Sequence, residues 1–184
     1  MNPKTPKDVP WKPFQTLQEN GSAFFDRAIT EDPASFQCKK GCQRCCFVSF
    51  SIFTGEAAQI RDWFTSQEDS VKETLREAWK KNRVAPHCVF LVEGSCSVYA
   101  VRPLICRTQG LMLRTKSEEE GHFQASCCPL NYVGREALPS HVLDLDRLNV
   151  LASVSQKYYI SQTKSENSCS EERVSLSQLA DTLS

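Results

Sequence analysis

The sequence predicts an α+β fold, mostly α: a small cysteine-rich, metal-centred domain with one short β-hairpin. Three observations carry that expectation. Apolar residues recur at helical spacing in several stretches. Two short apolar runs flank Glu93-Gly94-Ser95, a turn whose glycine is free to take a positive φ. Ten cysteines occur in 184 residues, nine of them between Cys38 and Cys128, a density that an ordinary enzyme core does not require. Lys plus Arg is 22 and Asp plus Glu is 22. That balance argues against a nucleic-acid binder or a polybasic membrane protein, which need a standing positive field.

Residues 1–13, with Pro3, Pro6, Pro10 and Pro13, read as a flexible arm. A helix follows from Phe14 to Thr30, its pattern interrupted at Gly21. Residues 36–46 form a tight polar loop, and 47–53 alternate partly, as a strand or an extended lead-in. Thr54 and Glu56 open a second helix with Ala57, Ile60, Trp63 and Phe64 inward. Ser70-Val71-Lys72-Glu73 reads as a capping box for a third, running to about Asn82 with Val71, Leu75 and Trp79 inward. Pro103 suits the first position of a short helix carrying Cys106 and Arg107. Residues 115–122 are polar and acidic and read as an exposed loop. The strongest helical spacing spans about 140–160, through Val142, Leu145, Leu148, Leu151 and Val154. The organisation expected is one cysteine-cluster domain over 14–161, with a disordered tail at 162–184 in which Leu176, Leu179 and Leu183 could dock a final turn.

The cysteines decide the chemistry. Cys38-x3-Cys42-x2-Cys45-Cys46 places four thiols within nine residues. Closely spaced thiolates on a turn converge on one ion at small entropic cost, and zinc and iron–sulfur clusters both prefer that soft ligand. Cys88, Cys96, Cys106 and the pair Cys127-Cys128 extend the set. Adjacent side chains of an extended backbone point to opposite faces, so each doublet is more easily supplied to two neighbouring sites than to one ion. Eight thiolates would make two four-ligand centres. Alternatively one cluster uses four, and the rest are small buried hydrophobes. The chain opens on a polar, proline-punctuated stretch and has no membrane-length apolar run. A reducing, cytoplasmic location is therefore expected, where dense cysteines hold metal more often than disulfides.

At this point the residues resemble a known family. Phe36-x-Cys38, Cys42-x2-Cys45-Cys46, Cys88-x-Phe90-Leu91, Gly94-x-Cys96-x-Val98-Tyr99 and Arg102-Pro103-Leu104-x-Cys106-Arg107 look like the zinc- or iron-chelating CxxCxxCC family. Its members include the YkgJ-type proteins and the flagellin lysine-N-methylases. The first spacing here is x3 where the family name implies x2, and Val89 stands where proline is more usual; neither change removes a ligand. The resemblance covers about residues 36–130. It implies a metal centre, zinc or iron–sulfur cluster, ligated by Cys38, Cys42, Cys45, Cys46, Cys88, Cys96, Cys106 and one distal cysteine. Either Cys127 or Cys128 could be that ligand; Cys128, which precedes Pro129, is chosen. It also suggests supporting roles beside the thiolates for Arg102 and Arg107.

His87 and His122 read as ordinary residues beside a surplus of thiols, Tyr99 as packed, and Cys169 as a free thiol in the tail. No Ser/His/Asp set, carboxylate pair or adenosylmethionine loop has recognisable spacing. The expected function is therefore a metal-binding protein with a structural or redox cysteine cluster and a protein partner of unknown kind. The alternative is a metal-scaffolded methyltransferase resembling the lysine-N-methylases, for which this chain is short.

Overall fold

The computed structural model describes residues 9–39, 41–117, 122–163 and 173–183. The fold is α+β and mostly α, as expected. Helix α1 (Lys12–Glu31) starts with proline in its first turn and buries Phe14, Gln18, Gly21 and Ala28. It runs straight through Gly21. A Cβ there would stand 3.4 Å from a Leu104 methyl, so the glycine that interrupts the apolar pattern lets another segment pack closely. After two 3-10 turns (Pro33–Ser35 and Arg44–Phe47), β1 (Ser51–Phe53) leads into α2 (Thr54–Thr65) and then α3 (Asp69–Asn82).

The capping box expected at Ser70 does not form. The helix begins two residues earlier, with Glu68 as its N-cap and no side-chain cap bond. Asp69 in the first turn pairs with Lys72 at 2.6 Å, where negative charge suits the helix dipole. Val71 points outward, while Trp79 is fully buried. The Trp79 indole N–H donates to Ser97 Oγ at 2.9 Å, and its ring packs on Phe64 and Phe90.

The hairpin is the expected one. Strands β2 (Leu91–Val92) and β3 (Ser95–Cys96) pair antiparallel around Glu93 and Gly94, both at positive φ (48° and 75°), the backbone of a two-residue primed turn. A 3-10 turn (Tyr99–Val101) and Pro103 precede the one-turn helix α4 (Leu104–Arg107). Strand β4 (Met112–Lys116) runs into the stretch read as a loop from 115, and pairs antiparallel with β5 (Phe123–Ser126) and parallel with β6 (Val142–Asp144). Glu118–Glu120 lie outside the described residues.

That parallel pairing moves the start of the next helix. Residues 139–141 are a 3-10 turn, 142–144 are strand, and α5 runs Leu145–Thr163. Its buried residues are Ala152, Ser155 and Gln156, whereas Leu151 and Val154 of the expected stripe are 43% and 59% exposed. The Gln156 side chain explains the rotation: its oxygen accepts from the Gly55 N–H (3.1 Å) and its amide donates to Thr54 Oγ1 (2.6 Å), fixing α5 on the start of α2.

The tail expected to be disordered is structured where it is described. Strand β7 (Arg173–Ser175) pairs antiparallel with β1, and α6 (Leu176–Leu183) buries Leu176, Leu179, Ala180 and Leu183 in the same cluster as Ile52, Ile60 and Trp79. Ser, Gln and Glu dominate the sequence there, but three leucines at helical spacing supply enough apolar face to dock. Among the described residues no helix is long and apolar enough to cross a membrane.

Candidate metal centre

A buried carboxylate locks the elements that carry the cysteines. Glu56, 4% exposed, accepts from the Leu104 N–H at 2.7 Å, from the Phe53 N–H at 3.3 Å and from Gln18 Nε2 at 3.4 Å. It ties the start of α2 to α1 and to the first turn of α4, two residues before Cys106. Burial pushes its pKa above the ordinary carboxylate range, against the pull of those three donors. Arg107 fixes the preceding turn: it donates to the carbonyls of Arg102 (2.7 Å) and Ala100 (2.9 Å) and to Ser22 Oγ (3.0 Å). Its role is to hold backbone. Arg102 differs. Its guanidinium lies over the Tyr99 ring at 4.6 Å, and its buried Nε has no partner among the described residues.

Between these elements lies a cavity of about 840 Å³. Cys38, Cys42, Cys45, Cys46, Cys88, Cys96 and Cys106 all line it, together with Arg102 and Arg107. Seven of the eight cysteines expected as ligands thus come together from three distant stretches of chain. Cys128 does not line the cavity, although its charge bears on Cys38. Cys127, left out of the expected set, points its sulfur at the Asn131 carbonyl, 3.8 Å away. Cys169 and Lys40 lie outside the described residues. His122 is exposed and away from the cavity; His87 packs edge-on to Phe47, lining a smaller groove with Cys46 and Cys88. All nine described cysteines are free thiols.

Opposing influences act on the sulfurs. Burial pushes the Cys88, Cys96 and Cys106 thiols up. Against that, the N–H of Phe90 faces Cys88 and the N–H of Val98 faces Cys96, each two residues on, and both pull the values down. The two arms of the hairpin therefore repeat one device, a sulfur with a backbone donor folded over it. Cys45 donates to Cys46, so the doublet shares a proton: Cys45 is held above the usual thiol range and Cys46 below it. Arg102 favours the thiolate at Cys45, Cys96 and Cys106. Soft donors with N–H partners and a nearby cation are the chemistry that a thiophilic metal selects. Among the described residues, however, no three Cys, His, Asp or Glu side chains stand grouped to hold one metal ion as they are.

Sequence reasoning missed two residues. Glu56 was visible only as a residue of the opening turn of α2, and its reach to Leu104, 48 positions away, has no local signature. Asn131, 3% exposed, donates to the Cys38 sulfur at 3.3 Å from just past Cys128.

Seven thiols around one cavity are a donor set of the kind that thiophilic metals take. The family model of the CxxCxxCC domain, described as a "putative zinc- or iron-chelating domain", matches residues 37–129, half of the chain, and the chain belongs to that family. No curated protein and no solved structure matches it. The family's description concerns metal, and nothing in it extends to methyl transfer.

Proposed function

We propose that this chain is a metal protein whose cavity thiolates hold an iron–sulfur cluster, in a structural or electron-carrying role, within a reducing compartment. One observation carries the reading: seven thiols from three separated segments ring a single cavity. Cys45, Cys46, Cys88, Cys96 and Cys106 form its inner set, each bearing electrostatically on others of the five. A mononuclear zinc site needs four sulfurs about 2.3 Å from one point. Seven thiols around one cavity of about 840 Å³ exceed the four that one zinc ion takes, and a polynuclear cluster accepts ligands over a wider span. When bound, such a cluster supplies one-electron chemistry or a rigid cross-link between the segments. The chain's own part is to present the thiolates, to donate N–H groups to them, and to set Arg102 near their charge.

Anaerobic purification with iron, zinc and sulfide analysis tests this. A coloured protein with iron and sulfide in matched amounts is expected, lost in Cys45→Ser and in Cys106→Ser but retained in Cys169→Ser. One or two zinc ions without sulfide would replace the cluster by zinc in the same cavity. Full metal retention by the first two variants would refute the site itself.

A further inference from the structure

Asn131 lies beyond residues 37–129 and its amide is fully engaged. Its orientation is fixed by chemistry. The Gln37 backbone N–H can only donate, and it meets Oδ1 at 2.9 Å; the Gly110 carbonyl can only accept, and it meets Nδ2 at 2.7 Å. The amide nitrogen must therefore be the atom facing Cys38, 3.3 Å from the sulfur, while the sulfur's distance to Oδ1 is 3.8 Å. Gly110 completes the cradle. It sits at φ +104°, and a Cβ there would fall 2.8 Å from the Cys38 sulfur and 3.1 Å from Asn131 Nδ2. Only glycine leaves room for the sulfur and the amide to meet. The cysteines of the same segment are placed differently: Cys127 faces the Asn131 carbonyl, and Cys128 does not line the thiol cavity, although its charge bears on Cys38.

We propose that Asn131 is a positioning residue that holds Cys38 as a hydrogen-bonded thiolate ligand. Through this amide, and not through the Cys128 thiol, residues 127–131 support the metal centre. The inference rests on the metal reading above. An amide N–H pointed at an anionic sulfur stabilises the thiolate and reduces its electron donation to a metal. It also pins the sulfur, so that Cys38 enters the cavity already oriented while Cys42, four residues on, is exposed.

The test uses the full chain, purified anaerobically, in four forms: wild type, Asn131→Asp, Asn131→Ser and Cys128→Ser. Three quantities are read: metal per chain, the rate of metal loss to excess EDTA, and the thiolate-to-metal charge-transfer band (after cobalt substitution if the metal is zinc). A wild type without metal refutes the underlying reading before any variant is considered. With metal present, both Asn131 variants should lose it about tenfold faster. Their charge-transfer band should move to longer wavelength, because a sulfur without its N–H donor gives electrons more easily. Cys128→Ser should match the wild type in all three. Wild-type rates and spectra in the Asn131 variants would overturn the proposal, as would loss of metal in Cys128→Ser. Should neither Asn131 variant fold, the wild type's Asn131 side-chain amide is followed by NMR as metal is removed: its resonance should move or reappear, and an unchanged resonance overturns the proposal.

Discussion

Replacing Glu56 by alanine tests whether one buried carboxylate holds the cysteine-bearing segments together. The Leu104 N–H, now bonded at 2.7 Å, would be left buried and unsatisfied, at about 2 kcal/mol. The longer bond from the Phe53 N–H, at 3.3 Å, is worth about 1 kcal/mol. The small cavity left by the side chain adds about 1 kcal/mol, and relief from burying a charge returns about as much. The net loss is about 3 kcal/mol, which for a chain of 184 residues lowers Tm by about 6–12 °C. Urea unfolding of the metal-free protein measures it. Glu56→Gln, which keeps an oxygen for Leu104, should cost about 1 kcal/mol at neutral pH. Burial raises the carboxyl above its ordinary value of 4.5. Its contribution is therefore complete below that value and declines as pH rises through the raised one. The wild type's margin over Glu56→Gln should be largest in mild acid. A Glu56→Ala protein within 1 kcal/mol (about fivefold in the folding constant) of wild type and with full metal content would refute the reasoning.

Three further outcomes are expected. Burial lifts Cys88, Cys96 and Cys106 above the ordinary thiol value of 9.0, so in the metal-free chain they are neutral at pH 7, and loading must expel their protons. Apparent metal affinity in competition titrations should rise about tenfold per pH unit for each proton released. The metal-free Tm should fall as pH climbs past 9.0, where the raised values stop favouring the fold. Ending the chain at residue 172 removes Leu176, Leu179 and Leu183 from the core, about 6 kcal/mol of burial set against a typical total of about 5–15. Thermal unfolding of that protein should show no cooperative transition; a normal one would contradict the docking of α6.

Local chemistry made much of this legible. The hairpin at Glu93-Gly94 and the helices through Phe14, Ile60 and Trp79 follow from turn preference and apolar spacing, which act over a few residues. The cysteine spacing pointed to the thiols that line the cavity. What sequence concealed was long-range. The apolar stripe of α5 suggested one buried face, but Gln156 reaching Thr54 and Gly55 turned the helix by another. The polar composition of the C-terminal stretch suggested disorder although its three leucines were visible as a docking turn; the residue they pack with, Ile52 of β1, lies over 120 positions earlier. Cys128 drew attention because it sits before Pro129, but no spacing rule would select the Asn131 amide, which meets the Cys38 sulfur at 3.3 Å.

The pairing of β1 with β7 also orders events in time. Leu176 lines the thiol cavity, and the strand before it reaches β1 across more than 120 residues of chain. Contacts within α1, α2 and the hairpin are local and close quickly, whereas a wall brought from so far along the chain must first shut a long loop. Until it does, the thiols stand open on one side to oxidants and stray metals. Loading of a finished cavity therefore follows the docking of α6.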